Sequence, residues 1–202
     1  MFWTLLQYLG LGASFLYLWL EFKQQPLMWV VSALCSAIYA TVYCHAQIYG
    51  DMGFSLFNIC MCVYGFCKWK AASRKGTTAV SKPSEEVIRY RHFRPKEALA
   101  TAGAAALIWE ALYLLLRFPL HSPVPALDAC TTMLNIVGTW VLAQKIIEVW
   151  GFWFLVNLLS IYLYAKRGLH LTTILLYSFY LGASVYGFLK WKRKGVLTPS
   201  VS

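Results

Sequence analysis

"VYGFCKWK" at Val63–Lys70 returns as "VYGFLKWK" at Val185–Lys192, seven identities in eight residues at an offset of 122. An internal repeat sets the plan of a fold before any single element does. Lysine and tryptophan recur at membrane ends for general reasons, so "KWK" alone carries little. The preceding "VYGF" in the same register carries the match. Upstream, "AIYATVYCHAQIYGD" at Ala37–Asp51 corresponds loosely to "SIYLYAKRGLHLTT" at Ser160–Thr173, and Trp29 falls opposite Trp153 with a small shift.

Composition says what solvent the duplicated unit meets. The chain is 59% hydrophobic and 13% charged, with mean hydropathy +0.56. Soluble domains sit near roughly 45–50% apolar, so the excess faces something other than water. Seven apolar segments near 2–20, 27–45, 52–69, 97–117, 126–146, 149–165 and 170–191 approach the roughly 17–25 residues that a bilayer requires. Lipid offers backbone groups no partner, so the segments are expected to be helices. Ten-residue alternation, the mark of a barrel, is missing from them. "MFWTLLQYLG" has no basic residue and no small-x-small cleavage site, so the first segment is read as a retained helix.

The expected fold class is therefore an all-α membrane protein with seven transmembrane helices in a 3+1+3 parallel repeat. Residues 1–70 form the first triplet, 71–96 a basic cytoplasmic loop, 97–125 a linker helix and external loop, 126–192 the second triplet and 193–202 a tail. An odd linker returns the chain to its starting side, so both triplets keep one orientation, a plan shared by many transporters. Nine of the 18 Lys and Arg lie between Lys68 and Lys96, and four more are Lys190, Lys192, Arg193 and Lys194. With Lys23 and Lys145 they fall on one side of a seven-helix path, opposite Arg117, Lys166 and Arg167. The positive-inside rule makes that side cytoplasmic, with the N-terminus outside and the C-terminus inside. The net charge of +10 is then a topology signal, and no nucleic-acid partner is expected. Within the basic loop, "SRKGTTAVSKPSEE" reads as linker and "VIRYRHFR" as a solvated connector or a segment lying on anionic headgroups.

Function is narrowed by what the spans hold. Six cysteines lie in or beside them as small hydrophobes, and neither disulfides, metal nor cofactor is expected. No HExxH, Gly-x-Ser-x-Gly or paired acid marks an enzyme. Ion coupling prefers buried carboxylates, and only Glu110 sits well inside a span. A transporter fits best. In the sixth segment Trp150, Trp153 and Asn157 share a stripe. Asn157 either bonds a neighbouring helix or, with the indoles, forms a wall for a flat heteroaromatic or cationic ligand. The candidate site adds Asn58 and Ser55 of the third segment and Tyr177 and Tyr180 of the seventh, Tyr180 being the repeat equivalent of Asn58. Trp29 and Tyr39 of the second close the opposite wall.

These residues carry a resemblance. "WGFWFLVN" at Trp150–Asn157 fits the Trp-x-x-Trp-x-x-x-Asn motif of the PnuC family of vitamin transporters. "YLWLEFKQQPLMW", "IYGDMGFSLFNICMCVYGFCKW" and the run from Lys145 to Trp191 follow the same family in order and spacing. The resemblance implies a SWEET-like fold in the plasma (inner) membrane of a bacterium, a homotrimer with one pathway per protomer, and facilitated diffusion. It also implies trapping of the vitamin by a cytoplasmic kinase. Members similar to this chain carry nicotinamide riboside or thiamine, with riboflavin in some branches. Nicotinamide riboside carriers often have Gln and Tyr after "YGDM", where this chain has Ser55 and Asn58, so thiamine stands beside nicotinamide riboside. Glu21 or Glu148 would favour a cation, or else pair with Lys23 or Lys145 at the surface. A SWEET-type sugar facilitator and a non-transporting seven-helix receptor are the alternatives.

Overall fold

The computed structural model describes residues 12–13, 15–45, 49–76, 88–166 and 171–197. It is helical almost throughout, and divides into two compact units, Met1–Ile88 and Arg89–Ser202. The first unit holds α1 (helical at 15–22), α2 (Leu27–His45) and α3 (Tyr49–Gly76), with α2 packed along α3. The second holds α4 (Pro95–Arg117), α5 (Pro125–Ala143), α6 (Val149–Lys166) and α7 (Leu171–Lys194), each packed on the next except that α4 meets only α5 among the described elements. The N-terminal part of the first apolar segment and residues 77–87 of the basic loop lie outside the described residues.

Both α4 and α5 are long and apolar enough to cross a bilayer. Apart from its contact with α5, α4 leaves apolar surface open: Leu99 and Leu107 are 77% and 75% exposed. An apolar helix face left uncovered by its own chain belongs in lipid or against other apolar protein. Proline at the first helical position starts both helices, where its missing N–H is harmless.

Each unit is pinned near one end by the same device. In the first, the rings of Trp29 on α2 and Trp69 on α3 meet edge to face at 5.6 Å, over Gly65. In the second, Trp150 on α6 and Trp191 on α7 meet at 5.3 Å over Gly187. A Cβ on Gly65 would come within 2.5 Å of the Trp29 ring, and one on Gly187 within 2.3 Å of Trp150. Only glycine lets an indole lie on the helix backbone there. Trp29 and Trp150 are each 2% exposed, and Trp69 and Trp191 are fully buried. The tryptophan of each "KWK" is thus an inter-helix key rather than an interfacial anchor. The flanking lysines snorkel: Lys68 and Lys70 lie over Tyr64 and Phe66, and 122 residues on Lys190 and Lys192 lie over Tyr186 and Phe188.

The turns before α2 and α6 match as well. Gln24 (φ 54°) and Lys145 (φ 56°) both take the left-handed conformation. The amide of Gln25 donates to the Leu20 carbonyl, and that of Ile146 to Val141; Trp29 donates to Pro26, and Trp150 to Ile147. The shared offset is 121, which makes Trp150, rather than Trp153, the counterpart of Trp29.

The second half of the basic loop is not a free connector. Residues Ile88–Tyr90 form β1, which pairs with β2 (Gly195–Leu197) directly after α7. Arg91 continues the strap: its amide donates to the Lys145 carbonyl and its carbonyl accepts from the Ile147 amide, both at 3.0 Å. Tyr90 packs on Gly195, where a Cβ would meet its ring at 2.6 Å. The Arg91 guanidinium bonds Glu97 at 2.5 Å in the first turn of α4. One short strand therefore ties the ends of α4 and α7 to the α5–α6 turn. Backbone pairing satisfies polar groups that a headgroup-bound segment would leave to water.

Candidate functional site

In the second unit the expected Trp and Asn stripe divides by role. Trp150 is taken into the lock with Gly187 and Trp191, so it supports α6 on α7 and presents no open ring face. Trp153 is half-buried, its six-membered ring 3.0 Å from where a Cβ of Gly138 on α5 would lie. Glycine at that place lets the indole approach α5 closely, and the side chain stays partly exposed. One turn on, Asn157 is 9% exposed and its Nδ2 donates to the Trp153 carbonyl at 2.8 Å. Its carboxamide therefore braces its own helix, the one that carries the indole, rather than bonding a neighbouring helix as one alternative expected, and keeps its oxygen for a further contact. Tyr177 and Tyr180 on α7 are both half-buried and meet edge to face at 6.1 Å.

The first unit carries a different chemistry at corresponding places. Asn58 of α3 donates from Nδ2 to Ser36 Oγ at 2.7 Å and to Ser32 Oγ at 3.3 Å, both on α2. Ser36 and Ser55 are buried among these helices. Counted from the paired turns, Ser32 and Ser36 occupy the places that Trp153 and Asn157 hold 121 residues later. Trp29 is sealed into its own lock and lines no opening, and Tyr39 is 44% exposed.

Ser32 and Ser36 were not expected from sequence, and neither was a polar stripe on α5. There Thr131, Asn135 and Thr139 lie four residues apart, Asn135 donating to the Thr131 carbonyl and Thr139 to the Asn135 carbonyl. The four-residue spacing was a readable signal. A serine or threonine in a span, however, satisfies its hydroxyl on the preceding turn so cheaply that its type alone marks nothing.

At the strap end the charged groups are paired differently from expectation. Glu148, just before α6, meets His92 of the strap at 2.8 Å, rather than Lys145. His92 also stacks edge to face on Tyr90. Lys145 is displaced by the turn into a desolvated position beside Arg89, and burial with that like charge lowers its ammonium pKa to about 8. Glu21 is buried at the end of α1, while Lys23 lies over the Trp19 ring at 3.8 Å.

Known proteins place the chain in company. A nicotinamide riboside transporter PnuC of Neisseria mucosa is 29% identical over 163 residues, 78% of this chain and 60% of that protein. The chain thus spans about three-fifths of that curated relative's length. A crystal structure of the vitamin B3 transporter PnuC superimposes with a TM-score of 0.70 at 24% identity, over 94% of this chain and 81% of that one. That likeness shows the fold. Both relatives are transporters and neither is an enzyme. The model of the nicotinamide mononucleotide transporter family matches residues 4–193, and over that span the chain belongs to this family, the one that contains PnuC.

Proposed function

We propose that the chain is a membrane carrier for a flat, cationic B vitamin, nicotinamide riboside or thiamine, moving it by facilitated diffusion. The observation that carries this is the half-buried Trp153, seated on Gly138 and braced by Asn157, in a member of a vitamin-transporter family. A half-buried indole held in place can stack on a pyridinium or thiazolium ring, and the attraction grows as water is removed. Binding residues under this reading are Trp153 and Asn157, with Tyr177 and Tyr180, in the second unit, and Asn58 and Ser55 in the first. Trp29 and Trp150 act through helix packing, and Tyr39 is left out of the site.

The matching locks, lysine pairs and turns support a duplicated 3+1+3 plan of the SWEET kind. Under it the two halves carry different chemistry, an indole in the second and a serine-held carboxamide in the first. The exposed apolar surface of α4 supports contact with lipid or with other protomers of a homotrimer. Few carboxylates inside the spans favours a passive carrier, with phosphorylation by a cytoplasmic kinase holding the vitamin inside. The test is titration of the purified protein with nicotinamide riboside and with thiamine, read by tryptophan fluorescence. Wild type is expected to be quenched by one of them in the nanomolar to micromolar range, and Trp153→Ala to lose at least tenfold in affinity while keeping its elution profile. Unquenched wild type, or a Trp153→Ala variant that transports normally, overturns the assignment.

A further inference from the structure

A carboxamide offers two N–H donors and one carbonyl acceptor. On Asn58 both donors are engaged by α2: Ser36 Oγ lies 2.7 Å and Ser32 Oγ 3.3 Å from the same Nδ2. The two serines are four residues apart, hence neighbours on one helix face, and together they grip a single amide group. Among the described residues no donor reaches the Asn58 oxygen, and the side chain is only half-buried. Ser32 in turn stands beside the Cys62 thiol, so it is held from a second side. With its own proton turned to Cys62, the Ser32 hydroxyl faces the amide as an acceptor, so α2 favours the orientation with the Asn58 N–H groups inward. The same polarity recurs in the second unit, where Asn157 points its Nδ2 at the Trp153 carbonyl.

We infer that Ser32 and Ser36 are positioning residues that make Asn58 an acceptor-only contact, selecting a ligand that brings an N–H, an O–H or a positive charge to the Asn58 oxygen. A ligand edge made only of acceptors meets a carbonyl oxygen there and is rejected, because the nearby amide protons are already engaged. An unmatched polar pair in a desolvated site costs more than the matched one returns. The inference rests on the vitamin-carrier reading, which makes Asn58 a binding residue.

Its test uses the full-length protein in nanodiscs, with nicotinamide riboside and thiamine as the probes. Asn58→Asp keeps an outward oxygen and lets the serine hydroxyls turn and donate to the other one. Its affinity is expected within about threefold of wild type, or tighter for these cations, whereas Asn58→Leu loses about tenfold or more. Ser32→Ala combined with Ser36→Ala frees the amide to rotate and weakens binding about threefold to tenfold. Ser36→Thr in the Ser32→Ala background, which restores one hydroxyl, recovers part of that loss. A merely structural role would not distinguish Asp from Leu at position 58 in this way, and thermal melts of each variant separate folding from binding. If Asn58→Asp binds as weakly as Asn58→Leu, the ligand uses the amide N–H and the inference falls while the carrier reading stands. If the double alanine variant binds like wild type, the positioning role falls. Wild type that binds neither vitamin overturns the carrier reading and this inference with it.

Discussion

Gly65 and Gly187 are the residues on which the helix packing turns. An alanine methyl at either place would stand 2.5 Å or less from a buried indole, and the four tryptophans of the locks are buried too deeply to yield easily. Overpacking of this kind costs roughly 1–3 kcal/mol. Gly187→Ala and Gly65→Ala are therefore expected to lower the melting temperature of the purified protein. Gly182→Ala and Gly53→Ala, on α7 and α3 with nothing within 4 Å, serve as controls. Helix propensity favours alanine there by about 1 kcal/mol, so they should be neutral or stabilising. If all four variants melt alike, the locks are not what holds the helix pairs. The repeat was legible because eight residues recur nearly unchanged. What the tryptophans do was not, since the partner that decides between packing and interface anchoring lies on the neighbouring helix. Trp29 lies 36 residues from Gly65 and Trp150 lies 37 from Gly187, a distance that no local pattern spans. For the same reason Trp150 and Trp153 look alike in sequence and separate only when Gly187 and Gly138 take their places beside them.

At the scale of elements, the strap is the part that hydropathy could not announce. Ile88–Tyr90 and Gly195–Leu197 are three residues each, too short for alternation to register, and they are strands only because each has the other to pair with. The α5–α6 turn that the strap grips carries two local costs at Lys145, a positive φ and a desolvated charge. A left-handed conformation costs a non-glycine residue roughly 1–2 kcal/mol. The charge term depends on pH. With its pKa lowered from 10.5 to about 8, Lys145 destabilises the fold fully below pH 8, and this cost fades as the pH rises from about 8 toward 10.5. Lys145→Gly removes both terms, so it should raise the melting temperature at pH 7 and raise it less at pH 9.5. An equal gain at both pH values would mean that only the backbone conformation matters. Gly195→Val, whose side chain would meet the Trp191 carbonyl and the Tyr90 ring, is expected to loosen the strap and expose the loop before it to limited proteolysis. The site helices themselves should keep their protection.

For the whole molecule, the locks and the strap supply a check on orientation that charge counting alone lacks. Within the first unit, Trp29 follows the turn that carries Lys23 and touches Trp69, which lies between Lys68 and Lys70. Those three cations therefore share one end of that unit. Within the second, Arg91 is bonded to the Lys145 turn, and β1 pairs with the strand that follows Arg193 and Lys194. The cations of the strap, the turn and the end of α7 again share an end, and Arg117 lies at the far end of α4. Each unit thus gathers its positive charge at one end for reasons of packing that owe nothing to the positive-inside rule. By that rule those ends are expected to be cytoplasmic. Labelling of single cysteines in a cysteine-free background with a membrane-impermeant thiol reagent decides it. Leu120→Cys, exposed in the turn after α4, is expected to react in intact cells, and Lys194→Cys, at the end of α7, only after permeabilisation. The reverse pattern would put the N-terminus inside. The strap end of the second unit would then face outward, and the half-buried Trp153 would be reached by a vitamin entering from that end.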